Sequence, residues 1–191
     1  MQRLHAPEFG DVDVDSLRFT SFPGGETRFI IEQTKGINKL ATQNSVLSHE
    51  DIDWMETIFR AAAEVSPPRP TYVHVDFKIG NLCVEKMNGD YRVSGLFDFH
   101  EGRFGNGAVD LVRQGCSFID HSIDLAQAFV QSLIAHAGYD PRVKPLMRLF
   151  LINDRMKIWG YFSQPGVKSP LPVAGGFKRW AERHFDANVF W

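Results

Sequence analysis

Cysteine is nearly absent: Cys83 and Cys116 are the only two in 191 residues. Two thiols supply neither the disulfide framework of a small secreted domain nor a structural zinc site. They read as reduced, mostly buried thiols of a cytoplasmic protein. The seven histidines are scattered without zinc-ligand spacing. Neither charge sign prevails, since 21 Lys and Arg stand against 23 Asp and Glu for a formal net charge of -2. That balance leaves no field to draw in nucleic acid or an anionic membrane. No apolar run is long enough to cross a bilayer, and the first residues lack the apolar segment of a signal peptide. Repeats and low-complexity segments are missing too. What remains is a globular chain, 43% hydrophobic, able to bury one sizeable core as a single domain over 1–191.

Against this plain background one constellation stands out. His74-Val75-Asp76-Phe77-Lys78-Ile79-Gly80-Asn81 is followed by Leu96-Phe97-Asp98-Phe99. Metal-assisted phosphoryl transfer needs one carboxylate to take a proton, with an amide and a second carboxylate to hold magnesium. The H-x-D-x-x-x-x-N spacing is that of a kinase-type catalytic loop, with Asp76 as the candidate catalytic group. Between the two blocks, Met87-Asn88-Gly89-Asp90 separates apolar runs, which predicts a β-hairpin. Such a hairpin would bring Asn81 and Asp98 side by side as magnesium ligands. Asp76 and Asp98 also have a plainer reading as turn and strand-end residues. The order of the blocks and the hairpin between them weigh against it.

The remainder reads as helical scaffold. Ser48 and Asp51 form a capping-box start for a helix carrying Ile52, Met55, Ile58, Phe59 and Ala62. Pro67, Pro68 and Pro70 end it and deliver an extended chain to His74. A second helix is predicted over Ser122 to Ala137 with Gly138 as its stop, and a third from Asp140-Pro141 to about Phe162. Gln164 to Gly176 reads as a loop, and Phe177 to Trp191 as a short aromatic-rich terminal helix. Residues Asp11 to Leu47 read as irregular, with Phe22-Pro23-Gly24-Gly25 a turn near the substrate side. The expected fold class is therefore α+β and predominantly α, with one small hairpin carrying the site residues.

The loop, Asp98 and the run Glu101-Gly102-Arg103-Phe104-Gly105-Asn106-Gly107-Ala108-Val109-Asp110-Leu111 resemble the aminoglycoside phosphotransferase and choline kinase group. That family shares its catalytic core with protein kinases. The looser resemblance runs from Leu4-His5, similar to a helix end of the family, to about Phe162. It implies Asp76 as catalytic Asp, Asn81 and Asp98 as magnesium and nucleotide ligands, and Asp110 as a brace under the loop beside a packing His74. It implies ATP and Mg2+ as cofactors and a small-molecule hydroxyl as acceptor. Val75 stands where the family has Gly, and Asn106-Gly107 where it has Asp-Pro. Lys78 stands where the family more often has His. It reads either as a cation for the transferring phosphoryl group or as an exposed surface lysine. His100 and Glu101 read as a solvated loop pair or as neighbours of the nucleotide. Asp120, Asp124, Asp140 and Asp154 read either as an acidic pocket for an aminosugar- or choline-like cation or as solvated helix-end charges.

The resemblance places the chain start already beyond the family's hinge. No Gly-x-Gly-x-x-Gly and no Val-Ala-x-Lys strand occurs upstream of the loop. The chain is thus expected to be the C-terminal lobe of a kinase-like fold without its N-terminal nucleotide-binding lobe. Such a lobe is either a phosphotransferase inactive in isolation or a non-catalytic binding module. A bared floor would favour a homodimer through Leu4 and the tail Phe185, Val189, Phe190 and Trp191. The alternative is that residues Asp11 to Leu47 cover the floor.

Overall fold

Three-residue strands open the described part of the chain. The computed structural model describes residues 6–13, 15–43, 47–137, 140–162, 164, 166–168, 176–186 and 189–190. Strands β1 (Gly10–Val12) and β2 (Phe19–Ser21) pair antiparallel. A turn follows, closed by Gly25 N–H on Phe22 O at 2.9 Å, with Gly24 and Gly25 at φ +79° and +83°. It feeds helix α1 (Gly25–Gln43), which corrects the irregular reading of residues 11–47. The cause of the miss is the helix's buried face. Glu26, Ile30, Thr34 and Asn38 recur at every fourth position and are all buried, yet three are polar. No apolar stripe announces such a helix. Its polar groups are spent inside: Glu26 accepts from Asn106 N–H at 2.8 Å, and Thr34 Oγ1 accepts from Asn153 Nδ2 at 2.9 Å.

Helix α2 (His49–Ala63) starts at the reciprocal Ser48–Asp51 capping box and buries Met55, Ile58, Phe59 and Ala62. The prolines then lead into β3 (Thr71–Val73). Strands β4 (Leu82–Met87) and β5 (Asp90–Leu96) form the hairpin, registered from Leu82 opposite Leu96 to Met87 opposite Asp90. Asn88 at φ +52° and Gly89 at +93° adopt the left-handed pair that twists with the strands. Strand β6 (Arg103–Gly105) joins a four-stranded antiparallel sheet in the order β2-β1-β6-β3. This second sheet corrects the expectation of a single hairpin. Its strands are too short for a period-two pattern to show.

Helix predominates beyond this point. Helix α3 (Ala108–Ile119) was not foreseen, and Asp110 sits in its first turn. Helices α4 (Ile123–Ala137), α5 (Lys144–Phe162) and α6 (Gly176–Asp186) follow. A 3-10 turn over Pro141–Val143, not the helix proper, opens the α5 segment. Helix α5 touches α1, α2, α3 and α6 and is buried nearly all round, as a central core helix should be. Val189 and Phe190 are buried, and a Cβ on Gly115 would stand 2.5 Å from the Phe190 ring. These two tail residues are thus packed inside their own chain, not offered as a bare face for a second copy. The Leu4-His5 helix end, the Gly138 stop, Trp191 and most of the 164–176 loop lie outside the described residues. No helix among the described residues is long and apolar enough to cross a membrane.

Burial separates the two thiols. Cys116 is fully buried, which pushes its pKa up to about 12, whereas Cys83 is exposed on the hairpin. A thiol reagent should therefore titrate one cysteine rapidly in the native protein and the second only after denaturation. Two fast thiols would contradict this packing.

Candidate active site

The loop after β3 is held from below. Asp110 Oδ2 accepts His74 N–H at 2.9 Å, and its Oδ1 accepts Val75 N–H at 2.7 Å. Burial raises the Asp110 pKa above the usual carboxylate range, opposed by these two donors. They restrain a strained residue, since Val75 lies at φ +69°, where a β-branched side chain is an outlier. Val75 therefore departs from glycine at a position whose backbone favours glycine. His74 is buried, its Nε2–H donates to Phe97 O at 2.8 Å, and its ring lies 4.7 Å from that of Phe99.

Asp76 emerges from this loop half-buried, with both carboxylate oxygens occupied. Arg113 donates to Oδ1 through Nε at 3.2 Å and Nη2 at 3.0 Å. Lys78 Nζ pairs with Oδ2, which also lies 3.3 Å from Asn81 Nδ2. Burial works to raise the Asp76 pKa, but the bonds from Lys78 and Arg113 outweigh it and hold the carboxyl below its ordinary value. Asn81 is buried, and its Nδ2 also donates to Asp76 O at 2.9 Å. Its amide hydrogens thus face Asp76. Phe97 N–H donates to Asn81 O at 3.1 Å, so Asp98 begins one residue beyond the base of the hairpin. Asp98 is exposed, sits at φ +66° and makes no cap bond through its side chain. An amide oxygen and a free carboxylate are hard oxygen donors, the set magnesium takes.

Arg113, outside the residues that the loop motif singles out, lies three residues beyond Asp110 on α3. That i, i+3 spacing puts both side chains on one helix face and was the available signal. Arg113 Nη1 reaches Asp154 Oδ1 at 3.3 Å. Asp154 in turn pairs with Arg155, whose Nη1 meets Asp120 Oδ2 at 2.9 Å. Asp120 also pairs with Arg183, and Asp140 with Arg142. Three of the four acids considered for an acidic pocket are therefore matched with arginines. That corrects the pocket reading; Asp124 is simply exposed.

The model of the phosphotransferase enzyme family matches residues 10–146, well over half of the chain, and the chain belongs to that family. No curated protein shows a significant match to it.

Proposed function

We propose that this lobe serves magnesium- and ATP-dependent transfer of a γ-phosphoryl group to a hydroxyl of a small molecule. The observation that carries the reading is the joining of Asp76, Asn81 and the Phe97–Asp98 strand end through three hydrogen bonds. Asp76 orients the acceptor hydroxyl. As the new bond to phosphorus forms and the bond to the β-phosphate oxygen breaks, Asp76 takes the hydroxyl proton. A carboxylate held below its usual pKa is a weak base, so the proton moves late and positioning supplies most of the rate. Asn81 Oδ1 and Asp98 would hold magnesium, which supplies charge neutralisation at the phosphate oxygens. Lys78 has a flexible stem and is more than a third exposed. It can leave Asp76 for an incoming phosphate, while Arg113, pinned by Asp154, stays and keeps Oδ1 in place.

Within these 191 residues no Gly-rich loop upstream of Asp76 offers amides to the phosphates. We infer that the chain by itself binds nucleotide weakly and turns over little. Titration with magnesium-ATP should give a dissociation constant weaker than about millimolar, or less than roughly 4 kcal/mol. Micromolar binding would overturn the half-site reading. Manganese, as a paramagnetic stand-in for magnesium, should broaden the Asn81 and Asp98 resonances in wild type and lose that effect in Asp98→Asn. Resonances left sharp would remove the metal assignment. The occupied carboxylate of Asp76 favours a second reading, a lobe that binds without turnover. Transfer abolished by Asp76→Asn would exclude it.

A further inference from the structure

Two cations next to the site have poor partners. Arg103 and Lys157 line an open cleft of about 670 Å³ between the β1–β2 segment and the loop 100–103 that follows Asp98. Both also line a water-sized space of about 20 Å³, whose wall includes Val75 and Arg113. They therefore stand between the cleft and the arginine that holds Asp76. Arg103 is 5% exposed, and its guanidinium lies over the rings of Phe22 and Phe29 at 5.8 and 5.6 Å. Its Nη2 reaches Glu26 only at 3.5 Å, and its Nε has no hydrogen-bond partner among the described residues. The carboxylate paired with Lys157 is Glu101, at 3.9 Å. Burial lowers the Lys157 pKa, Glu101 and Asp154 oppose this in part, and Arg103 and Arg113 add repulsion.

A fixed guanidinium with an unspent donor beside a half-buried ammonium is an unfilled anion site. The cleft also carries Asp11, Asp13 and Glu101, but these are exposed and water screens them, while Arg103 is almost out of solvent. The cleft volume is within the range of small-molecule sites. Resting on the phosphotransfer reading, we propose that this cleft takes the acceptor. The acceptor is then a small hydroxy compound bearing a carboxylate or phosphate group, which Lys157 and Arg103 hold. A cationic aminosugar- or choline-like acceptor is disfavoured, because three of the four acids considered for it are matched with arginines.

Titration of the chain, followed by amide chemical shifts, tests this with four probes: glycerate, inorganic phosphate, choline and glycerol. Glycerate or phosphate should bind and perturb residues 100–103, and the stronger of the two tells carboxylate from phosphate recognition. Choline and glycerol should leave those residues unmoved. Lys157→Met keeps the stem and should weaken anion binding at least tenfold, with an otherwise wild-type spectrum showing that it folds. Lys157→Arg should retain binding. Anion affinity unchanged in Lys157→Met, or choline binding in place of the anions, would overturn the proposal. Asp98→Asn separates this from the metal reading: it should lose manganese broadening yet keep glycerate or phosphate affinity.

Discussion

Arg155→Met should cost about 3–5 kcal/mol of unfolding free energy, the range seen when one partner of a buried ion pair is removed. Arg155 is 0% exposed and its guanidinium touches Asp154, Asp120 and His184, with Trp180 5.5 Å away. Methionine fills similar volume, so the loss comes from charge left behind rather than from a cavity. Asp120 keeps Arg183 and Asp154 keeps Arg113, which places the effect toward the lower end of that range. At about 2–4 °C per kcal/mol for a chain of this size, the midpoint should drop by roughly 6–12 °C. A loss below about 1 kcal/mol would mean that the network is solvated and works like a surface pair.

The same cluster sets the acid side of the stability curve. Arg155 Nη1 lies 2.9 Å from His184 Nε2, and Asp120 Oδ1 lies 3.2 Å from that nitrogen. One nitrogen cannot accept from Arg155 and donate to Asp120 together. Burial lowers the His184 pKa despite the opposing Asp120 bond, so the neutral ring accepts from Arg155. Its stabilising contribution is complete above about pH 6.5 and is lost as pH falls below that value. For Asp120, burial works to raise the pKa, but the guanidiniums of Arg155 and Arg183 beside it hold the carboxyl well below the usual range. Its contribution is present above about pH 4 and is lost as pH falls further. Both signs agree, so the wild-type midpoint should decline from pH 7 toward pH 4. Arg155→Met should flatten that decline.

Asp110→Ala should free the loop after β3. It strands two N–H groups, those of His74 and Val75, each worth about 1–3 kcal/mol when left unpaired in a buried setting. Part of that loss is returned, because Val75 at φ +69° stores roughly 1–3 kcal/mol of strain that a freed loop releases. The net stability loss should be about 2–4 kcal/mol. The local effect should exceed the global one: amide exchange at His74 and Val75 should accelerate more than exchange in α5. Protection at Val75 equal to wild type would show that Asp110 does not brace the loop. The same relaxation would move Asp76 away from Arg113, and its carboxyl pKa should then rise toward the ordinary value.

Features of short sequence reach were legible beforehand. The Ser48–Asp51 box, the Asn88-Gly89 turn and the spacing from Asp76 to Asn81 each involve residues at most five apart. Their geometry follows from local backbone preference and adjacent donors and acceptors. Helix α1 was not legible, because its buried stripe of Glu26, Thr34 and Asn38 reads as surface until Asn106 and Asn153 are placed against it. The clamp on Asp76 was hidden in the same way.

By itself, the sequence determined the chemical groups of the site, their order along the loop and hairpin, and the helices with apolar stripes other than α3. Only the tertiary structure decided which charges meet. Arg113 reaches Asp76 across 37 positions, and Asp154, once a candidate for binding a cation, spends its charge on Arg113 and Arg155. Lys157 of α5 and Arg103 of β6 come to share a cleft only in the folded chain. Ion pairing depends on separations of a few ångströms and on loss of water, and both are set by helix packing that no local pattern encodes.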